Sequence, residues 1–190
     1  MHMFKILHRR QGFTLLEMLI AIAITSVIAT AGFNFYVSMH NTTMSQQDIS
    51  DMQQVSRSCL DEITNTLRMA GYKLPAGSSP YRIAADSLLV YFSSTKPVDT
   101  VLYYLAPNDT LGGSAPEGWK PMYLMRKINS ESASIYADVL NNVTYTVINP
   151  GTIEVAVTSQ TTKADESWPQ NNGYRSFTST ERVTIRNLGL

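Results

Sequence analysis

Residues 13–33, FTLLEMLIAIAITSVIATAGF, form an apolar run of 21 residues broken by a single charge, Glu17. At about 1.5 Å of rise per residue the run makes a helix of about 31 Å, enough to cross the hydrocarbon core of a bilayer. The flank before it, MHMFKILHRRQG, holds Lys5, Arg9 and Arg10 and no acid. Such a flank should stay on the cytoplasmic side, with everything after Gly32 outside. An ordinary secretory signal describes the segment less well. Its apolar core is shorter and a small-residue cleavage site follows it, whereas this run is long and no clear site follows.

Composition narrows the chemistry. The 15 Lys+Arg balance 15 Asp+Glu over 190 residues, so no polyanion-binding field shows at this level. Removing residues 1–12, with their three cations, takes the net charge from 0 to −3. Cys59 is the only cysteine, which excludes an internal disulfide and any zinc site built from cysteine pairs. His2 and His8 lie in the basic flank, leaving His40. On one helix His40 and Cys59 stand about 28 Å apart, beyond the reach of a nucleophile and its base. No metal or cofactor is expected, although an enzyme built on carboxylates alone stays open. Tyr103, Tyr104, Trp119 and Tyr123 read as sheet core and rim, because no basic stripe accompanies them as nucleic-acid binding would need.

Glu17 sharpens the N-terminal reading. A carboxylate at the centre of a membrane helix costs about 2.5–3.5 kcal/mol, and less near the interface. Either Glu17 lies near enough to the headgroups to be tolerated, or it has a cationic partner. Cleavage after Gly12 would create such a partner, the α-amine of Phe13, at the same depth and most productively from a neighbouring subunit. Ala21, Thr25, Ala29 and Gly32 continue from Glu17 at helical spacing, a stripe that lets helices approach closely. The plainer reading is that Ala and Thr are common in membrane helices.

Gly12-Phe13-Thr14-Leu15-Leu16-Glu17 closely resembles the prepilin signature of type IV pilins and type II secretion pseudopilins. The resemblance implies cleavage between Gly12 and Phe13 by a prepilin peptidase, N-methylation of Phe13, and a filament-assembly role for Glu17. Two further stretches, Leu67-Arg68-Met69-Ala70-Gly71-Tyr72 and Val183-Thr184-Ile185-Arg186-Asn187, look like the PilW group of minor pilins, as does Asp86-Ser87-Leu88. The J-type minor pseudopilins are a near neighbour. The loops at 107–121 and 160–175 carry no familiar pattern.

Beyond the membrane run no proline occurs before Pro75, so one helix is expected from Phe13 to about Ala70. Ile49, Met52, Val55 or Ser56, Cys59 or Leu60, Ile63 and Leu67 form an amphipathic face, with Cys59 packed rather than reactive. Gly71 reads as the residue that ends the helix. Strands are expected at Ser87–Phe92, Thr100–Leu105, Met122–Lys127, Asn142–Ile148, Thr152–Thr158 and Thr178–Arg186, with turns at Asn149-Pro150-Gly151 and Asn172-Gly173. Asn108-Asp109-Thr110 with Gly112-Gly113 reads as a turn rather than a calcium loop. Asp165 and Glu166 beside Trp168 read as a solvated loop rather than a recognition loop.

The expected fold is α+β, type IV pilin-like, with a long N-terminal transmembrane and amphipathic helix packed on a mainly antiparallel sheet. Its parts are a basic leader at 1–12, a transmembrane half of the helix at 13–37, an amphipathic half at 38–71 and a periplasmic β-rich region at 72–190. The resemblance implies a minor pilin rather than an enzyme: a single-pass protein of the bacterial inner membrane that later enters a pilus or pseudopilus. Its partners would be the prepilin peptidase, other minor and major pilins and the inner membrane, with no direct nucleic-acid site. A type II secretion minor pseudopilin and a membrane-anchored periplasmic binding protein are the alternatives.

Overall fold

The computed structural model describes residues 12–93, 98–108, 121–165 and 168–188. The basic residues Lys5, Arg9 and Arg10, and the features at Asp109–Gly113, Trp119 and Glu166, lie outside them. Helix α1 runs Leu15–Met69, and the chain divides into two compact units, one up to Met44 and one from Ser45.

In the first unit no described residue covers the helix. Every described residue up to Met44 is exposed, including Leu16, Ile20, Ile24, Ile28 and Phe33. The segment is long and apolar enough to cross a membrane. Its hydroxyls turn back onto the helix: Thr25 Oγ1 donates to the Ala21 carbonyl at 2.7 Å and Thr30 Oγ1 to that of Ser26 at 2.8 Å. Ser26 does the same to Ala23 at 2.8 Å. A helix already satisfies its own amides, so these bonds leave little polar demand on the medium around it.

The second unit begins where the pattern becomes amphipathic. Met52, Ser56, Cys59, Leu60, Ile63 and Leu67 are buried, recurring every three or four residues as one helix face must. They lie on a seven-stranded sheet, a continuous antiparallel meander in chain order. Its strands are β1 Tyr81–Ala84, β2 Ser87–Phe92, β3 Asp99–Pro107, β4 Met122–Ile128, β5 Ser134–Asn149, β6 Thr152–Gln160 and β7 Ser176–Thr184. The alternation Ile153, Val155, Val157 along β6 and Leu88, Val90 along β2 supplies the core row. Full burial of each such side chain contributes about 1.5–3 kcal/mol.

Two buried hydroxyls fasten helix to sheet. Ser56 Oγ donates to the Val157 carbonyl at 3.0 Å, and Ser159 Oγ donates to that of Met52 at 2.8 Å. Tyr103, buried on β3, donates its hydroxyl to Glu62 at 2.8 Å and lies 2.9 Å from Thr66 Oγ1. Arg126 Nε stands 3.3 Å from the same Glu62 carboxylate, off the line a hydrogen bond needs.

The helix ends where the sequence indicates. Gly71 has φ +79°, and its amide leaves the helix to donate to the Tyr91 carbonyl at 2.9 Å. The expected turn at Pro150-Gly151 joins β5 to β6. Near the second expected turn Asn171, Asn172 and Gly173 all take positive φ.

Two elements differ from expectation. β1 is additional, because YRIA is too short for its alternation to register. β5 starts at Ser134 rather than Asn142. Between the Ala137–Leu124 and Leu140–Met122 pairs β5 carries one extra residue, and Val139 takes φ +61° there. Further register shifts lie between Ile135 and Ala137 and between Leu140 and Asn142, so the first half of the strand keeps no continuous alternation.

Candidate functional site

Gly12, Phe13 and Thr14 precede the helix without regular structure and are exposed. Phe13 is 88% accessible, so the Gly12–Phe13 bond presents irregular, uncovered backbone. Thr14 is the N-cap and Glu17 the third residue of the helix. The Glu17 amide donates to Thr14 Oγ1 at 3.2 Å. In return the Glu17 carboxylate accepts from the Thr14 amide at 2.8 Å and from its hydroxyl at 2.9 Å. This reciprocal arrangement is a capping box, satisfying two backbone donors that the first turn leaves free. A negative charge in the first turn also suits the helix dipole.

The sequence carries the signal for this capping role of Glu17. Thr-x-x-Glu before an apolar run is the signature of such a box. Within one chain, therefore, the carboxylate is occupied by Thr14. Ala21, Thr25, Ala29 and Gly32 follow along the exposed helix, and a Cβ added at Gly32 would meet nothing within 4 Å.

The remaining polar candidates have structural partners. His40 stacks on Tyr36, ring centroids 6.2 Å apart. Cys59 is fully buried in the core. Burial, reinforced by the nearby charges of Asp138 and Glu62, pushes its thiol up to about 12, so almost no thiolate exists near neutral pH. Burial also drives the phenols of Tyr103 and Tyr145 above their ordinary range. Asp165 is half-buried rather than solvated. It accepts from Arg175 at 2.7 Å and from Ser45 Oγ at 2.7 Å, and Arg175 lies over the Trp168 ring.

Two stretches far apart in sequence meet at the helix end. A Cβ on Gly71 would come within 1.7 Å of the Asn187 carbonyl oxygen. The Leu67–Tyr72 and Val183–Asn187 stretches therefore pack against each other.

Residues 7–33 match the family model of the prokaryotic N-terminal methylation motif. The match covers the Gly12–Glu17 signature and the apolar run together. This motif marks precursors of the type IV pilin and pseudopilin kind, structural subunits processed by a prepilin peptidase and assembled with other pilins. With the apolar helix it supports anchoring in a membrane. Comparison with curated proteins and with solved structures returned no match.

Proposed function

We propose that this chain is a minor type IV pilin, a structural subunit that takes part in initiating or capping pilus assembly. Prepilin peptidase cuts between Gly12 and Phe13, and Phe13 receives the N-methyl group. Residues 13–37 hold the subunit in the bacterial inner membrane. The basic leader keeps to the cytoplasm and residues 72–190 lie in the periplasm until the subunit enters the filament.

The observation that carries the reading is a single stretch of chain. The methylation motif runs directly into a helix whose apolar side chains have no cover within the chain, while its hydroxyls are all internally bonded between Ala21 and Thr30. Such a helix needs an apolar neighbour, first lipid and then other pilin helices. Glu17 then exchanges Thr14 for the Phe13 α-amine of an adjacent subunit, and Ala21, Thr25, Ala29 and Gly32 admit that subunit's helix closely. The pilus assignment, rather than the secretion pseudopilus, draws on the PilW-like stretches at 67–72 and 183–187.

The test is the N-terminus and intact mass of the membrane-extracted protein, with and without active prepilin peptidase. A start at Phe13 with one added methyl, only when the peptidase is active, is expected. A leader retained under both conditions would remove the reading and favour an anchored periplasmic protein. Co-purification with secretion rather than pilus components would move the subunit to a pseudopilus.

A further inference from the structure

After α1 the chain doubles back through residues 70–80 to reach β1. Between that loop and β1 opens a cleft of about 450 Å³, within the range of sites that hold a ligand group. Its walls include Leu74, Pro75, Tyr81, Tyr91 and Val98, with Arg82 among them. Among the described residues no acidic side chain lines the cleft. Arg82 is exposed and has no ion pair or hydrogen bond among the described residues. A guanidinium without a partner beside an apolar hollow suits a ligand that brings both a carboxylate and an apolar group.

The backbone adds a third element. β1 pairs only with β2, so no strand among the described residues meets its outer edge. An open edge is a template for one more strand. At the opposite edge the charges of β7 are already used: Glu181 pairs with Arg68 and Arg182 with Glu154, at 2.8 and 2.7 Å. Among the described residues, the edge with an unpaired cation and a hollow is β1.

We propose that this cleft docks an extended peptide segment of a neighbouring filament subunit. The segment adds along Tyr81–Ala84, places an apolar side chain against Pro75 and Tyr91, and brings a carboxylate to Arg82. Main-chain bonds give affinity in this mode, and the cleft and Arg82 give specificity. That the partner is another subunit rests on the filament reading above; the peptide site itself does not.

The probe is a fluorescein-labelled eight-residue peptide of alternating Val and Thr, with adjacent Leu and Asp at its centre. It is titrated by anisotropy against the detergent-solubilised full chain. Two control peptides replace Asp by Asn, or carry N-methyl groups on alternate amides so that they cannot add as a strand. Saturable binding is expected, weakened about tenfold by Asp→Asn and equally by Arg82→Gln, as loss of one charge-assisted contact implies. Arg82→Lys should recover part of it, and the N-methylated peptide should not bind. Equal affinity for wild type and Arg82→Gln overturns the site, as does binding of the N-methylated peptide, which would mark a small-molecule hollow instead. Failure of the first peptide to bind a chain that starts at Phe13 overturns the cleft assignment and leaves the filament reading intact. Peptide binding by a chain that keeps its leader even with active prepilin peptidase overturns the subunit partner alone.

Discussion

Gly71 and Gly77 together separate two costs that a single glycine substitution usually confounds. Both residues have φ near +80°, where an L side chain costs about 1–2 kcal/mol. Around Gly77 an added Cβ would meet nothing within 4 Å, whereas at Gly71 it would lie 1.7 Å from the Asn187 carbonyl oxygen. Ordinary contact begins near 3.4 Å, so backbone must move. Displacing Asn187 loosens the neighbouring Ile185, which is 2% exposed, at up to about 2 kcal/mol. Shifting Gly71 endangers its bond to Tyr91, at about 1 kcal/mol. Gly77→Ala should therefore cost about 1 kcal/mol and Gly71→Ala about 4 kcal/mol. With a urea slope of about 2 kcal/mol/M, the midpoints fall by about 0.5 M and about 2 M. Tryptophan fluorescence of the detergent-solubilised chain reads the transition, since Trp119 and Trp168 both follow Ser45. Equal midpoint shifts for the two variants would refute the claim that the helix end and the C-terminal stretch lock together.

Glu17→Ala should leave cleavage after Gly12 intact while cutting incorporation into filaments at least about tenfold, the equivalent of one lost charge-assisted contact; normal incorporation, measured by immunoblot of sheared filaments, would end the assembly role. Ser159→Ala removes the buried donor to the Met52 carbonyl and should cost about 1–2 kcal/mol, read in the same urea titration; an unchanged midpoint would show that this bond does not fasten helix to sheet. Alkali should also weaken the second unit. Cys59, Tyr103 and Tyr145 are held neutral by burial, while the unfolded chain ionises them from about pH 8.5 for the thiol and about pH 10 for the phenols. These raised values favour the fold fully below that range, and the stability is lost as pH climbs toward the folded values. The urea midpoint should be flat from pH 7 to 8 and fall by pH 10.5; a midpoint that holds at pH 10.5 would contradict the burial argument.

Much of the architecture is legible because it rests on periodicity. The buried face at Met52, Ser56, Cys59, Ile63 and Leu67 follows helical spacing, and Ser87–Phe92 is bounded in the structure where its alternation begins and ends. What escapes is what periodicity does not encode. The first half of β5 is interrupted by register shifts that break its alternation, and β1 owes its existence to pairing with β2. The N-terminal motif is legible because its chemistry lies within six consecutive residues. The capping box lies in the same six, yet the unusual cost of a membrane carboxylate drew attention to partners outside the chain. The cleft beside β1 is invisible in sequence, since Leu74, Arg82, Tyr91 and Val98 meet only through the path of the backbone.

If the chain is the proposed filament subunit, its two units answer different solvents, and one charge would govern its passage from membrane to filament. The second unit buries its own apolar surface and bonds its inner hydroxyls to its own backbone. The first buries none of its described residues, but bonds Thr25, Ser26 and Thr30 to its own carbonyls. Moving such a helix from lipid to a bundle of like helices would trade one apolar medium for another, with Thr25, Ser26 and Thr30 already bonded and little net driving force. Apolar packing alone would leave storage in the membrane and assembly in the filament nearly balanced. Under that function Glu17 would be the group whose energy differs between them. In lipid it has the Thr14 amide and hydroxyl, neutral donors, whereas beside a second subunit it can take a full positive charge at low dielectric. Under the proposed function, the capping box makes the stored state tolerable without making it the better one, and the direction of assembly would rest on a single carboxylate five residues past the proposed cut.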